Sequence, residues 1–253
     1  TCAWGLGYFG MPHVLLRFMA IRKEGELKRS RRIAMVWVII SLIAAVLIGV
    51  IGSAAIKGLG DPETIFIELA KKLGGHGFIL LLFAGVILAG ILAATMSTSD
   101  SQLLIASSSV SQNFFKGLLH KNASDKLIMW ISRCTIIVIA VISVIIALNP
   151  NSSIFEIVSF AWAGFGAAFG PVVLFMLFWK RTTLYGALAG MLSGGVMIFV
   201  WKFLVRPLSD ILNIYELLPG FIFASIVIFA VSMLDKEPSK EIQAEFERVA
   251  SSE

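Results

Sequence analysis

Charged residues divide this sequence into long apolar runs. Several runs without Asp, Glu, Lys or Arg approach the roughly 20 residues that a membrane-spanning helix needs. They occupy residues 33–56, 77–99, 134–155, 157–179, 182–201 and 217–234. We therefore predict a transmembrane region at 1–234 and a tail at 235–253. Six spans are expected within that region, near 33–56, 77–112, 127–148, 153–179, 182–203 and 215–234.

Residues 1–20 are apolar as well, but they form a poor sequence for a continuous helix. Gly5, Gly7, Gly10 and Pro12 fall close together. A proline removes a backbone donor, and a glycine lowers helix stability by about 1 kcal/mol relative to alanine. We predict half of a broken helix here. Because the run starts in mid-pattern, without an initiator Met or a cap, we expect the chain to be a fragment that begins inside a membrane helix.

A broken helix inside a membrane indicates a binding site. Unwound backbone at that depth is tolerated where it is buried in protein or lines a water-filled cavity, and transporters build substrate sites in this way. The half-helix that restarts near Pro12 would direct its positive end at a carboxylate. Trp4, Tyr8 and Phe9 could hold an apolar ring and an amine. Alternatively, the glycines allow close packing, Pro12 makes a simple kink and the aromatic residues form an interfacial belt.

The composition agrees with a membrane location. Hydrophobic residues make up 58% of the chain, charged residues make up 15%, and the mean hydropathy is +0.89. The net charge of +5 does not predict nucleic acid binding, because the Lys and Arg residues lie at the ends of the expected spans. Most of them collect on one side, which places the C-terminus in the cytoplasm. Cys2 and Cys134 have no metal or disulfide spacing, and without a catalytic motif we expect no enzyme.

A stripe of hydroxyl groups follows the second apolar run, in "AATMSTSDSQLL". At 100° per residue, Ala94, Ser97, Thr98, Ser101 and Ser108 fall within an arc of roughly 100°. The Ala94 carbonyl and the hydroxyls of Ser97 and Thr98 could present three neutral oxygens to one point, which suits a cation such as Na⁺ better than a divalent or a soft metal. Alternatively, the hydroxyls bond back to the i−4 carbonyls or join helices.

Asp100 lies at the edge of this stripe. A carboxylate inside a membrane is a functional candidate, and Asp100 and Ser101 could form the path by which the ion leaves. Because Asp100 is close to the cytoplasmic end of the predicted span, a solvated rim residue is the alternative.

Two further segments have irregular sequences. In "GDPETIFIELAKKLGG", Asp61 can cap a short helix outside the membrane, Pro62 suits its first turn, and Gly74 with Gly75 ends it. This helix is either an interfacial amphipathic helix or a lid over an external vestibule. "FAWAGFGAAFGPVV" does not have the spacing of a nucleotide-binding loop. We expect close helix packing there, with a moving external gate as the alternative.

Three stretches, "AWGLGYFGMPHVLLRFMAIR", "ILAATMSTSDSQLL" and "FAWAGFGAAFGPVVLFMLFWKR", together resemble the sodium/proline symporters of the sodium:solute symporter family. The likeness runs in order along almost the whole chain. It implies an all-α integral membrane protein with a leucine-transporter-like inverted-repeat fold, of which this chain is the second repeat plus two C-terminal helices. It also implies that Trp4, Tyr8 and Pro12 belong to a proline site.

The same resemblance implies that Ala94, Ser97 and Thr98 belong to a sodium site and that the helix at 61–73 is an external lid. The implied ligands are Na⁺, as the coupling ion, and L-proline. The implied surroundings are the lipid bilayer of the cell membrane and the missing N-terminal half of the same transporter. The implied function is Na⁺-coupled import of L-proline by alternating access, which this fragment would not perform alone. The alternatives are a symporter of another amino acid or organic solute, and a transporter-like membrane sensor domain.

Overall fold

The computed structural model describes the backbone of residues 2–23, 25–148 and 153–251 and, within these ranges, all side chains except those of residues 2–4 and 9. In these ranges the chain forms helices and no strand. The α-helices are α1 Cys2–Gly7, α2 Pro12–Met19, α3 Glu26–Ala55, α4 Ile65–Gly74, α5 Phe78–Ser108, α6 Asp125–Ala147, α7 Ile154–Phe178, α8 Leu184–Val200, α9 Leu217–Leu234 and α10 Lys240–Ala250. The chain divides into two compact units, one made of Thr1–Met19 and Val141–Glu253 and the other of Ala20–Ala140.

Six helices in the described ranges are long and apolar enough to cross a membrane. They are Glu26–Ala55, Phe78–Leu119, Asp125–Ala147, Ile154–Phe178, Leu184–Leu208 and Leu217–Leu234. Much of their apolar surface is exposed; for example, Trp37 is 70% exposed and Phe78 is 74% exposed. Such a surface fits helices that are surrounded by lipid or by other membrane helices. The predicted all-α integral membrane class is therefore confirmed, whereas the inverted-repeat arrangement stays a prediction.

Some helices extend beyond the predicted spans. α3 begins at Glu26, and its first turns carry charged residues. α5 continues as the π-helical segment Ser109–Leu119, and α8 continues through the π-helical turn Trp201–Val205 and the 3₁₀ turn Arg206–Leu208. Hydropathy marks the part of a helix that can lie in hydrocarbon, whereas backbone hydrogen bonding continues into the headgroup region.

The short helix predicted after Asp61 is confirmed. The Asp61 carboxylate accepts a hydrogen bond of 2.9 Å from the Glu63 N–H, and Pro62 occupies the first turn of the 3₁₀ segment that leads into α4. Ile65 of α4 packs on Gly52 of α3.

A lysine also fastens α4 to α3. The Lys72 Nζ donates to the Ala55 carbonyl oxygen at 3.0 Å. This oxygen belongs to the last residue of α3, where a cation interacts favourably with the helix dipole. The apolar face of α4 is therefore held against a membrane helix, and its role as a lid stays a prediction.

In the other unit, α7, α8 and α9 pack closely because small residues line their contacts. A Cβ at Gly190 of α8 would overlap the Ile228 side chain of α9, and a Cβ at Gly194 would overlap the Ala167 carbonyl oxygen of α7. One buried hydrophobic cluster of this unit is formed by Ala163, Ala167, Ile198 and Leu217.

Among the glycines of α7, a Cβ at Gly166 would lie 2.8 Å from the Leu217 side chain and one at Gly170 would lie 2.8 Å from the Phe221 ring, whereas nothing lies within 4 Å of a Cβ at Gly164. The expected close packing is therefore found at Gly166 and Gly170, and the gate alternative stays a prediction.

The tail forms a short helix, α10, which ion pairs attach to the α7–α8 connection. The Arg181 Nη1 lies 2.6 Å from the Glu237 Oε1, and its Nη2 donates to the Met233 carbonyl oxygen at 3.2 Å. Lys180 pairs with Glu247 of α10 at 3.4 Å. These exposed pairs contribute little free energy individually, but they fix where the tail begins.

Gly194 and Gly195 are a matched pair for testing this packing. A methyl group at Gly194 meets the Ala167 carbonyl oxygen, whereas nothing lies within 4 Å of a Cβ at Gly195. We expect Gly194→Ala to lower the free energy of unfolding by about 1–3 kcal/mol through overpacking. Gly195→Ala should be neutral or stabilising by up to about 1 kcal/mol, because alanine favours helix. Unfolding in detergent measures both, and equal effects would contradict the packing described.

Candidate functional site

The helix at the start of the chain is interrupted. α1 ends at Gly7, a 3₁₀ turn follows at Tyr8–Gly10, and Met11 is extended with φ −78° and ψ 116°. Pro12 then starts α2, which suits its fixed φ and its missing N–H, and a residue before proline favours the extended conformation. The Met11 carbonyl accepts from the Val14 and Leu15 N–H groups at 3.0 Å. The break is therefore a stop and a restart, not a simple kink.

The broken segment lies directly on α7. A Cβ at Gly7 would overlap the indole of Trp162, and a Cβ at Gly10 would overlap the Phe165 carbonyl oxygen. A Cβ at Gly166 would lie 2.8 Å from the Gly7 Cα. The alternative interpretation, in which the glycines allow close helix packing, is therefore correct for Gly7 and Gly10. The helix is nevertheless broken at the same place.

Among the predicted substrate residues, Tyr8 is the one whose side-chain contacts are clearest. Its ring meets the edge of the Trp162 ring, with centroids 4.8 Å apart and planes at 85°, and it stays 55% exposed. Pro12 is half-buried at the start of α2. Trp4 lies in α1, one turn before Tyr8, but its side chain is outside the described residues, as is that of Phe9. The break thus brings together an exposed tyrosine, a tryptophan edge and a helix start.

Trp162 was missed in the sequence analysis. Its stretch of α7 reads as glycine-rich packing, and nothing in its own spacing separates it from the other aromatic residues of the span. The sequence alone does not indicate this role, because the glycine that Trp162 covers lies far away in the chain. In this structure that glycine is Gly7, on the broken segment.

This arrangement has the chemistry of a site for a small amphiphilic ligand. The start of a helix carries the positive end of its dipole, which favours an anion such as a carboxylate. Aromatic rings beside this helix start provide apolar contact and attract a cationic amine. The Tyr8 hydroxyl adds a group that both donates and accepts hydrogen bonds.

The predicted cation ligands lie on α5, in the other unit. The Thr98 hydroxyl donates to the Ala94 carbonyl oxygen at 3.0 Å, and the Ser101 hydroxyl donates to the Ser97 carbonyl oxygen at 3.0 Å. These bonds are the back-bonding that the alternative interpretation predicts. They also hold the Ala94 and Thr98 oxygens side by side, and both oxygens keep lone pairs for a cation. Sodium binding there stays a prediction.

Asp100 lies about 33 Å along α5 from the first residue of this helix, Phe78, at a rise of 1.5 Å per residue. This length is close to the thickness of the hydrocarbon core. Asp100 is exposed and Ser101 is half-buried. An exit path and a solvated rim are both compatible with this depth, so the roles of Asp100 and Ser101 stay predictions.

Comparison with known proteins identifies the family. The model of the sodium:solute symporter family matches residues 1–194. This chain belongs to the sodium:solute symporter family. No solved structure gives a significant match.

The relatives of this family member include named symporters. The chain is 47% identical to the sodium/proline symporter of Haemophilus influenzae, over 97% of this chain and 49% of the relative. It is 44% identical to the high-affinity proline transporter PutP of Bacillus subtilis, over 96% of this chain and 50% of the relative. It is also 44% identical to the sodium/proline symporter of Escherichia coli, over 96% and 48%. The chain therefore spans about half the length of the curated relatives it matches.

Gly10 and Gly5 test whether the break depends on contact with α7. Alanine at Gly10 would push against the backbone of Phe165, which cannot rotate away, whereas nothing lies within 4 Å of a Cβ at Gly5. We expect Gly10→Ala to cost about 1–3 kcal/mol of stability and to shift the tryptophan emission, because the Tyr8–Trp162 contact must move. Gly5→Ala should leave the emission unchanged and should be neutral or stabilising by up to about 1 kcal/mol, because Gly5 lies in α1 and alanine favours helix. If Gly5→Ala were as costly as Gly10→Ala, the break would not depend on this contact.

Proposed function

We propose that this chain is part of a Na⁺-coupled symporter that carries L-proline into the cell by alternating access. The observation that carries the proposal is the broken helix, whose aromatic residues and helix start suit a zwitterion with an apolar ring. The names of the relatives point to the same substrate and ion. The proposed activity is transport and involves no catalytic group.

In this proposal the break holds the substrate. The first turn of α2, beginning at Pro12, binds the proline carboxylate, and its pyrrolidine ring and amine contact Tyr8 and Trp4. Trp162 supports Tyr8 from the side, because the two rings are in edge contact. A ring-shaped secondary amine is thus selected by shape and by charge.

The coupling ion binds at Ala94, Ser97 and Thr98. Three oxygens are fewer than a Na⁺ ion normally coordinates, so further ligands come from elsewhere in the transporter. Because the relatives are about twice as long as this chain, we propose that these ligands belong to a first repeat outside these 253 residues. Asp100 and Ser101 line the path along which the ion leaves for the cytoplasm.

Coupling requires that Na⁺ bind one state of the transporter more tightly than the other. An ion with equal affinity for both states could not shift their equilibrium, whatever its affinity. We propose that Na⁺ favours an outward-open state, which admits proline. In this orientation the C-terminus is cytoplasmic, as the Lys and Arg distribution predicts, and α4 covers the external entrance.

Substitutions in α5 test the ion site. In Na⁺-driven uptake by the full-length transporter that contains this chain, Ser97→Ala and Thr98→Ala should each weaken apparent Na⁺ affinity about tenfold or more, which corresponds to about 1.4 kcal/mol. The matched control is Thr95→Ala, because the Thr95 hydroxyl makes the same kind of back-bond, to the Ile91 carbonyl oxygen at 3.0 Å, away from the stripe. The assignment fails if all three variants keep the wild-type Na⁺ dependence.

Tyrosine substitutions test the substrate site. Tyr8→Phe removes the hydroxyl and keeps the ring, and it should raise the proline KM about 5- to 20-fold, as expected for the loss of one or two hydrogen bonds. Tyr185→Phe is the control, because Tyr185 is an exposed residue of α8, 67% accessible. Competition by unlabelled amino acids and other organic solutes identifies the substrate. Preference for a solute other than proline would contradict the substrate assignment and leave the break as the binding site.

A further inference from the structure

A buried carboxylate at the start of α9 has no part in the function described so far. The side chain of Glu216 is only 3% exposed. Its Oε1 lies 3.8 Å from the Lys202 Nζ, and its Oε2 lies 3.6 Å from the Arg206 Nη1. Removing a carboxylate from water costs several kcal/mol, so a buried ion pair is a poor way to gain stability alone. Its position calls for another explanation.

The segment that contains Glu216 is held by side chains from the irregular end of α8. The Trp201 indole donates to the Ile214 carbonyl oxygen at 3.2 Å, and the Arg206 Nε donates to the Asn213 Oδ1 at 2.7 Å. Lys202 also lies over a ring of α7, with its Nζ 4.0 Å from the centroid of Phe160. π-helical turns are frequent at functional sites. Here the turn directs its side chains at the residues just before α9.

The two neighbours of Glu216 reach the face of α7 that holds the broken helix. The Tyr215 hydroxyl donates to the Ser159 carbonyl oxygen at 2.6 Å. Leu217 is fully buried and packs against Gly166, which in turn touches Gly7.

We propose that Glu216 is a positioning residue for the proline site, an inference that rests on the proposed function. Its pairs with Lys202 and Arg206 fix the start of α9. Tyr215 and Leu217 then hold α7 so that it presents Trp162 and Gly166 to the break. The path from the carboxylate to Tyr8 is a continuous series of contacts within one unit of the chain. The hydroxyl stripe on α5 is not part of this series.

The matched variants are Glu216→Gln and Tyr215→Phe. Glu216→Gln keeps the shape and removes the charge, and it leaves Lys202 and Arg206 able to reach water, because they are 29% and 41% exposed. In proline uptake by the full-length transporter, both variants should raise the proline KM about 3- to 30-fold, the range found along coupled networks. The maximal rate per folded transporter and the apparent Na⁺ affinity at saturating proline should change less than about twofold.

Two further variants separate positioning from general stability. Glu216→Asp keeps the charge and should restore the KM to within about threefold of wild type. Glu241→Gln removes an exposed carboxylate from α10 and should change nothing. A fall in maximal rate that follows the amount of folded protein, with the KM unchanged, would overturn the proposal.

A readout that does not need transport keeps this inference separate from the proposed function. The labelling experiment uses a protein in which Cys2, Cys134 and any cysteines outside this chain are replaced by serine. In this background Tyr8→Cys provides a single thiol at the break. Glu216→Gln should change its rate of labelling by a membrane-impermeant maleimide at least about threefold, because the packing around the break is released. If wild-type protein carries no proline but this labelling change is seen, the proposed function fails, and the role of Glu216 in positioning the broken helix stands. An unchanged labelling rate together with an unchanged KM overturns the positioning role.

Discussion

The broken helix can pack against α7 only because Gly7 and Gly10 carry no side chains at the contact. Gly7 lies under Trp162, and Gly10 touches the Phe165 carbonyl oxygen. A methyl group at either glycine would force the segments apart. This approach determines where Tyr8 lies, and Tyr8 and the start of α2 are the groups that we propose bind the substrate. The rest of its unit supports this contact, through the fully buried Ala163, Ala167 and Leu217.

Membrane burial explains why such support is needed. Backbone polar groups at membrane depth must find partners inside the protein, and a helix that stops and restarts leaves several of them unpaired. The Met11 carbonyl is satisfied by the first turn of α2, and the neighbouring helix shields the rest of the turn. Pro12 has no N–H, and the Val14 and Leu15 N–H groups already donate to the Met11 carbonyl, so an anion at this end would be favoured chiefly by the positive end of the α2 dipole. The break thus satisfies backbone groups of its own and still leaves a positive helix end that suits an anion.

Much of this fold could be predicted from the sequence because its causes are local. Apolar runs define the spanning helices, Asp61 and Pro62 mark the start of the helix that leads into α4, and Pro12 with its glycines marks the break. The roles of Trp162 and Glu216 could not be predicted, because each depends on residues far away in the sequence. Trp162 gains its role from Gly7, and Glu216 gains its role from Lys202 and Arg206. Hydropathy also could not locate the ends of α5 and α8, where helical turns continue beyond the apolar runs.

We propose that the break, packed on α7, is where L-proline binds. An experimental structure of the full-length transporter that contains this chain, determined with Na⁺ and L-proline bound, tests it most directly. If the break is the binding site, proline will lie within about 4 Å of the Tyr8 ring, the usual contact distance, with its carboxylate at the first turn of α2. Proline bound away from the break, or α1 and α2 joined as one continuous helix around Met11, would show that the break is not the binding site.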